Sequence, residues 1–362
     1  MGAQRAICTI IAKNYISRAR TLCNSFKKFH PDLPCYVLVV DHFESFIDPT
    51  KECFDLVDLS SLKLPNVERL CFKYSILELC TAVKAHLIDY LFQQRGITHL
   101  LYIDPDVLIT NPLDDVFDRL DHFDILLTPH ADKDYPDDAL TPNTGTLLRY
   151  GVYNLGFIGV RATAGAFEIL NWWGPKLLDR CIDDPLGGYY VDQKFMNLAP
   201  LFFDKVGVEK GPGLNVAYWN LHSRRVDFQK GIWRCNESLL YFFHFSNFDP
   251  EQPELISGYQ TRYRLANRPD LQALFAIYTR LLFENGNEES RGWPYDYNYF
   301  RTGQPIPYEL RVLYRDSHEK WDYWGDPFAS PELMRKARRL KQTAKGAYAL
   351  NALAHRYRKL VR

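Results

Sequence analysis

The sequence predicts an α/β protein with a mostly parallel central sheet and helices on both of its faces. Short runs of β-branched and apolar residues alternate along the chain with longer segments in which apolar residues recur every three or four positions. Strands that alternate with helices in this way form parallel sheets. The chain has 362 residues, of which 46% are apolar, so it can bury the large core that such a sheet requires. Ligands of such folds bind beyond the carboxyl ends of the strands, so the residues that follow each strand are the first candidates for function.

The first three strands are predicted at residues 6–11, 36–40 and 99–103, each of which is an apolar or β-branched run. Between the last two, the pattern predicts a helix over residues 68–94. The apolar face of this helix repeats at steps of three and four: Ile76, Cys80, Val83, Leu87 and Leu91.

Later apolar runs predict strands at 123–128, 153–160 and 238–245, and helices are expected at 166–180, 192–197 and 270–284. The segment 129–151 is polar and rich in Asp, Pro, Thr and Gly. A connection of that length is usually functional or disordered, and we interpret it as a lid over a ligand.

The eight cysteines are scattered and include no Cys-x-x-Cys pair, which is typical of buried, reduced thiols in a cytosolic protein. The chain opens with a strand-like run and shows no signal-peptide pattern, and no apolar run approaches the length of a membrane span. These observations predict a cytoplasmic location.

The charge of the chain is zero overall but unevenly distributed. Residues 331–362 carry ten Lys or Arg against the single acid Glu332, which gives this tail about +9 and the other 330 residues about −9. That distribution argues against a nucleic-acid binder. The tail combines apolar residues at helical spacing with basic ones, so it predicts a helix that contacts an anionic membrane surface; a solvated helix packed on its own protein is the equal alternative.

The sharpest local motif is Asp104-Pro105-Asp106, at the end of the third predicted strand. Two carboxylates two residues apart, at a strand end, can share one hard cation through their oxygens. Two solvated acids at a turn are an equally frequent explanation of such a pair. The motif alone is therefore weak.

Around this motif, residues 6–250 resemble glycosyltransferase family 8, the GT-A group that includes bacterial lipopolysaccharide galactosyltransferases and glycogenins. The loop after strand one, Ala12-Lys13-Asn14-Tyr15, resembles the family's nucleotide-contacting loop, in which Ala12, Asn14 and Tyr15 would hold base and ribose. Lys84 lies at the place of a basic residue that reaches the donor. A lysine that lies along the helix with its ammonium in water is nearly as good an explanation.

The resemblance continues in the second half of this region. Asp104 and Asp106 fall at the family's Asp-x-Asp position, and Asn154 and Gly156 resemble its Asn-x-Gly strand, in which Asn faces the donor sugar. Asp192 and Gln193 resemble an Asp-Gln pair that opens a helix below the transferred sugar. His244 resembles the histidine that completes the metal site, where Mn²⁺ or Mg²⁺ would bind with Asp104 and Asp106; without the resemblance, a buried histidine in an aromatic strand would be the better explanation.

The chain departs from the family after His244, where a Gly and then a Lys are usual but Ser246-Asn247-Phe248-Asp249-Pro250 follows. The diphosphate of a donor therefore lacks one expected cation. Ser246, Asn247 or Arg301 would have to substitute for it.

The resemblance implies a metal-dependent transferase that moves a sugar from a nucleotide sugar, with uridine as the expected base, to a glycan or lipid-linked acceptor in polysaccharide biosynthesis. It implies retention of anomeric configuration, because the family offers no carboxylate nucleophile and Gln193 stands where one would be needed. Asn154, Asp192 and Gln193 are the implied catalytic residues. The expected division is a catalytic domain at 1–250, an extension at 251–330 and a basic helix at 331–362.

Two other functions remain open from the sequence. Sugar-nucleotide nucleotidyltransferases use a similar sheet and acidic metal ligands, but they open with a Gly-rich basic loop, whereas residues 12–15 contain no glycine. A non-catalytic sugar- or metal-binding module of the same fold is the third possibility. Metal-dependent hydrolysis of the donor would distinguish it from an enzyme.

Overall fold

The computed structural model describes residues 4–341 of the chain. The described residues form two compact units by their contacts: residues 4–63 with 80–293, and residues 64–79 with 294–341. The first unit contains the central sheet. The catalytic, extension and tail ranges expected from the sequence are a functional division and stay a prediction.

The strands of the chain are, in order, β1 Arg5–Ile11, β2 Cys35–Val39, β3 Asp55–Asp58, β4 His99–Ile103, β5 Val107–Ile109, β6 Ile125–Pro129, β7 Tyr153–Arg161, β8 Asp183–Asp184, β9 Tyr189–Tyr190, β10 Val206–Val208, β11 Val226–Gln229, β12 Ile232–Cys235, β13 Ser238–Leu239 and β14 Phe242–His244. The helices are α1 Ile16–Lys27, α2 Val67–Lys73, α3 Ile76–Ala82, α4 Lys84–Arg95, α5 Asp114–Arg119, α6 Thr144–Tyr150, α7 Ala164–Arg180, α8 Gln193–Met196, α9 Ala199–Phe202, α10 Pro269–Glu284, α11 Asn287–Ser290, α12 Tyr308–Arg315 and α13 Trp321–Trp324.

Seven strands form the main sheet in the order β10-β6-β7-β4-β1-β2-β3. Every pairing is parallel except the two that β7 makes, with β4 and with β6. The mostly parallel α/β sheet expected from the sequence is therefore confirmed. Because β7 runs against its neighbours, it begins at the edge where β1, β4 and β6 end.

Helices cover both faces of this sheet. On one face, α1 packs with alternate strand residues such as Ile7 and Leu101 in a buried cluster that also includes Phe242 of β14. The opposite face carries Tyr102, over whose ring lies the ammonium of Lys84 at the start of α4, 4.0 Å from the ring centroid. Burial of apolar side chains on the two faces supplies the main stabilising term.

Two elements expected from the sequence differ in the structure. The predicted helix 68–94 is three helices, interrupted around Tyr74-Ser75 and at Val83, although its apolar spacing continues through both breaks. The predicted strand 238–245 is also divided: β13 pairs with β12, whereas β14 pairs with β5. The spacing of apolar side chains does not reveal a break in a helix or strand when the residues on both sides of the break are buried.

The second unit contains α2, α12 and α13, and Arg311 of α12 is buried in it. The Arg311 guanidinium donates to the carbonyls of Cys71, Phe72 and Tyr74, at 3.1, 2.6 and 2.6 Å. These carbonyls belong to the end of α2, where a helix leaves acceptors without intrahelical donors. Arg311 of α12 thus caps the C-terminal end of α2.

A helix covers 331–341, and the rest of the predicted basic helix lies outside the described residues. The expectation of eight buried thiols is wrong, because Cys23 and Cys35 form a disulfide and Cys53 is exposed. Among the residues that the structure describes, no helix is both long and apolar enough to cross a membrane.

Candidate functional site

Four strand termini bring the candidate residues to one edge of the main sheet. Ala12 follows β1, Asp104 follows β4 and His130 follows β6. Asn154 is the second residue of β7, which begins at this edge. The backbone N–H of Asp104 donates to the carbonyl of Gly156 at 2.8 Å, which locks the end of β4 to β7. This is the edge at which a doubly wound sheet binds ligands.

Asp104, Asp106 and His244 form a cluster of potential metal ligands, in which one ligand atom from each residue lies within 4.8 Å of the others. His244 Nε2 is 3.1 Å from Asp106 Oδ1 and 3.8 Å from Asp104 Oδ2. The short antiparallel pair of β5 and β14 creates this cluster, because it places His244 opposite Val107, the residue after Asp106. Residues about 140 positions apart thus meet through three residue pairs.

The space beside the cluster exists because residue 156 is glycine. A Cβ on Gly156 would lie 2.8 Å from both Asp104 Oδ2 and Asn154 Oδ1, and it would also collide with the His244 ring. Carboxylate oxygens with an imidazole nitrogen suit a divalent ion such as Mn²⁺. The donor set and the cradle therefore fit one divalent metal ion.

The charges of the cluster support each other. Burial acts to raise the pKa of Asp106, but His244 and Arg18 outweigh it and the pKa of Asp106 is lowered. Burial acts to lower the pKa of His244, but Asp106 and Asp104 outweigh it and the pKa is raised. A divalent cation would replace the imidazole proton as the partner of both carboxylates.

Lys84 and Asp192 form a buried ion pair beside this cluster, with Lys84 Nζ 2.5 Å from Asp192 Oδ2. The Lys84 ammonium also donates to the Leu155 carbonyl of β7 at 2.7 Å. Because the Lys84 side chain is 1% exposed, a lysine with its head in water is excluded. Burial raises the pKa of Asp192, against the opposing effect of Lys84.

Asn154 is the centre of a buried hydrogen-bond network. Its Oδ1 accepts from the Gly156 backbone N–H at 3.1 Å and from Asn215 Nδ2 at 2.9 Å. Its Nδ2 lies 3.3 Å from His130 Nε2. Asn215 in turn places its Oδ1 3.1 Å from His244 Nδ1, so Asn154 is linked to the proposed metal ligand.

Gln193 begins α8 immediately after Asp192, as expected, and is buried. Its Nε2 donates to the Tyr150 carbonyl at 2.8 Å, at the end of α6. Through Gln193, the Lys84–Asp192 pair is therefore connected to the segment 129–151, which we interpret as a lid.

The loop after β1 presents polar atoms at the same edge. Asn14 Oδ1 is buried and has no hydrogen-bond partner among the described residues, as an atom reserved for a ligand would be. Tyr15 is 40% exposed, whereas Ala12 is buried. Lys13 does not face solvent; its ammonium lies 3.3 Å from Asp41 Oδ2 in a fully buried pair.

No protein-family model matches the chain. In sequence, the chain is similar to the uncharacterized proteins YfnF and YfnD of Bacillus subtilis (strain 168). YfnF is 24% identical over 254 residues, covering 67% of this chain and 81% of YfnF. YfnD is 25% identical over 249 residues, covering 66% of this chain and 76% of YfnD.

Similar solved structures are glycosyltransferases. They include the galactosyltransferase LgtC with donor and acceptor sugar analogs (15% identity, 77% of this chain, 95% of that chain, TM-score 0.45) and GlyE of Streptococcus pneumoniae TIGR4 (16%, 83%, 67%, 0.45). Mouse xyloside xylosyltransferase 1 is a third (12%, 66%, 97%, 0.40). At these TM-scores the matches do not themselves establish a shared architecture, so the function proposed for this chain depends on its own residues.

Four residues of the site were missed by the sequence analysis, and they are Asn215, His130, Trp219 and Arg18. Asn215 lies in a loop with φ +51°, where asparagine is tolerated, and nothing near it in the sequence marks it. His130 follows an apolar run directly, which was the available signal. Trp219 contacts the rings of both His130 and His244 edge-on, at 5.2 and 5.0 Å between centroids.

Arg18 is the fourth missed residue. It is a candidate for the positive charge that the resemblance leads us to expect after His244. Its guanidinium lies 4.5 Å from the centroid of the Tyr15 ring and donates to the Phe248 carbonyl at 3.2 Å. Its charge also lowers the pKa of Asp106. Arg18 therefore lies between the loop after β1 and the segment after His244. Arg301, one of the suggested substitutes, pairs with Asp326 at 2.8 Å.

Proposed function

We propose that the chain is a divalent-metal-dependent glycosyltransferase of the GT-A type that transfers a sugar from a nucleotide-sugar donor, with UDP as the expected nucleotide and Mn²⁺ as the expected ion. The observation that carries the proposal is the Asp104-Asp106-His244 cluster, opposite a glycine and beside a buried Lys84–Asp192 pair. The resemblance of residues 6–250 to glycosyltransferase family 8 supports the same assignment. Asn14, Tyr15 and Ala12 are the proposed contacts to base and ribose.

A bound divalent ion would neutralise the charge that develops on a departing diphosphate. The residues of this chain then have separate tasks. Asp104, Asp106 and His244 hold the ion, and Arg18 adds a positive charge beside them. Asp192, held in position by Lys84, accepts hydrogen bonds from hydroxyls of the donor sugar and fixes its orientation.

The proposed stereochemistry is retention. In the reaction, the acceptor oxygen bonds to the anomeric carbon, the bond from that carbon to the diphosphate oxygen breaks, and the acceptor proton passes to the departing oxygen. Gln193 is not a carboxylate, and Asp192 is buried against Lys84, so neither is suited to attack the anomeric carbon. The acceptor, a glycan or a lipid-linked saccharide, enters on the face that the diphosphate leaves. The proton NMR coupling of the product's anomeric proton tests this; inversion would refute it.

Thermal unfolding against a panel of nucleotide sugars, with and without Mn²⁺, tests the function. A ligand present at 100 times its Kd stabilises the fold by about 2.7 kcal/mol. We expect the largest shift when the correct donor and Mn²⁺ are present together, and a smaller one with Mn²⁺ alone.

Substitutions then separate metal from sugar contacts. We expect Asp106→Asn and His244→Ala to abolish the Mn²⁺-dependent shift and to lower transfer roughly 100-fold or more. Asp192→Asn, which preserves shape, should keep the shift and lower only transfer. Full activity of His244→Ala with unchanged Mn²⁺ dependence would refute the proposed site.

A further inference from the structure

The network around Asn154 contains atoms whose roles are fixed by a backbone group. The Gly156 N–H lies 3.1 Å from Asn154 Oδ1 and can only donate. The Asn154 atom that faces it must therefore be the carbonyl oxygen. An NH₂ group in that position would place two donors, itself and the Gly156 N–H, against each other. The side-chain amide of Asn154 has only one allowed orientation.

This constraint passes to Asn215. The atom of Asn215 that faces Asn154 Oδ1, at 2.9 Å, must be a donor, which makes it Nδ2. Nδ2 also lies 2.8 Å from Thr128 Oγ1, but a hydroxyl can donate or accept and therefore sets no orientation. The carbonyl oxygen of Asn215 is thus directed at His244.

The histidine tautomer follows. His244 Nδ1 lies 3.1 Å from Asn215 Oδ1, and a carbonyl oxygen only accepts, so Nδ1 carries a proton. The lone pair of a neutral His244 is then on Nε2, the nitrogen that lies 3.1 Å from Asp106 Oδ1. A histidine binds a metal ion through the nitrogen that carries no proton.

We propose that Asn215 is a positioning residue for the metal site, and that it acts by holding His244 in the tautomer that directs the Nε2 lone pair at the ion. The proposal rests on the proposed metal site. Asn215 does not touch the ion; it acts through His244, and its own orientation is imposed by Asn154 and the Gly156 N–H. The residue proposed to face the donor sugar is therefore coupled to the residue that binds the metal.

The test compares variants at Asn215 with one at Thr128. Asn215→Gly removes the side chain and suits φ +51° without strain. Asn215→Asp keeps an acceptor for the Nδ1 proton. Thr128→Val removes a neighbouring buried hydrogen bond of Asn215 and leaves the orientation determined by Asn154 unchanged.

Mn²⁺ affinity without donor, measured by electron paramagnetic resonance of the free ion, is the first readout. Loss of a residue that orients a metal ligand lowers affinity roughly 10- to 100-fold, which we expect for Asn215→Gly. Asn215→Asp should bind more tightly than Asn215→Gly, and Thr128→Val should stay within about twofold of wild type because the histidine tautomer is unaffected.

Nitrogen NMR of histidine-labelled, Zn²⁺-saturated protein is the second readout. A proton on His244 Nδ1 in the wild type, lost from slow exchange in Asn215→Gly, supports the proposal. Wild-type Mn²⁺ affinity in Asn215→Gly, or a wild-type ring bound to Zn²⁺ through Nδ1, overturns it. Failure of sugar transfer with intact Mn²⁺ binding would instead refute the proposed function and leave the role of Asn215 in place.

Discussion

Gly156 shows how the absence of one side chain makes room for a ligand at the sheet. It lies in the middle of β7, where a side chain would otherwise be expected, and its missing Cβ leaves space between Asp104, Asn154 and His244. The same strand contains Gly159, whose absent Cβ would instead meet the apolar carbons of Leu120 and Leu101 at 2.9 and 3.3 Å. One strand thus carries two glycines with different neighbours.

We predict that Gly156→Ala lowers Mn²⁺ affinity by roughly 100-fold, because its methyl group takes the space between the ligands. Gly159→Ala is the matched control, since its methyl group crowds only the core and should cost about 1–3 kcal/mol of stability with Mn²⁺ affinity retained. Calorimetric titration with Mn²⁺ and chemical denaturation measure the two effects. Equal Mn²⁺ affinity in both variants would contradict the role given to Gly156.

Arg18 is the candidate for the cation expected after His244. If its guanidinium supplies the cation missing after His244, Arg18→Ala should weaken UDP binding in the presence of Mn²⁺ by roughly tenfold, the value of one charge-assisted hydrogen bond. Arg20→Ala is the control from the same helix, because Arg20 is already paired with Glu52 at 2.6 Å. Titration of UDP with Mn²⁺ checks the difference, and equal losses in both variants would exclude a specific role for Arg18.

The segment 129–151 makes more contacts with the rest of its unit than its polar composition indicates. It contains α6, and the buried Tyr135 donates its hydroxyl proton to the Trp219 carbonyl at 2.6 Å. Arg262 holds the exposed middle of the segment, with two bonds to Asp138 at 2.5 and 2.9 Å and one to the Pro142 carbonyl at 3.0 Å. Closure over a donor stays a prediction.

We predict that protease cleavage within 129–151 is suppressed by UDP-sugar plus Mn²⁺, because closure over the donor would order the segment and exclude water. Arg262→Ala should increase cleavage without ligand, since it releases the Asp138 contact. Arg280→Ala, which breaks only an exposed pair with Glu284, serves as the control. Cleavage that is indifferent to the donor would show that the segment is not a lid.

Element positions were predictable where the sequence pattern and the backbone agree. The cores of β1, β4, β7, α7 and α10 follow their apolar runs closely. The division of residues 67–95 into α2, α3 and α4 was not predictable, because the apolar spacing continues through both interruptions. The short edge strands β3 and β10 also have too few residues to show alternation.

The candidate site was predictable from the sequence to the extent that its residues lie at strand ends. Asp104, Asn154 and Asp192 were chosen from the sequence, and the structure gathers them around one edge. Asn215 and Arg18 could not be found, because their roles depend on contacts with residues far away in the sequence. A residue that acts through hydrogen bonds to distant groups leaves no local pattern.

The last prediction concerns the stability of the whole fold as pH falls. Burial lowers the pKa of His130 from its ordinary 6.5 to about 4. Between pH 6.5 and about pH 4, His130 is protonated in the unfolded chain but neutral in the folded chain. The free energy of unfolding therefore decreases as pH falls through this range. A shift of this size corresponds to on the order of 3 kcal/mol.

His130→Gln removes the titrating group while its side-chain oxygen can still accept from Asn154 Nδ2, the partner of His130 Nε2. Urea denaturation at pH 7 and at pH 4.5 therefore gives the test. The wild type should lose more stability than the variant between these two pH values, because the other acid-sensitive groups, including Asp106, are common to both proteins and cancel in the difference. Identical losses would mean that His130 is not held neutral by the fold.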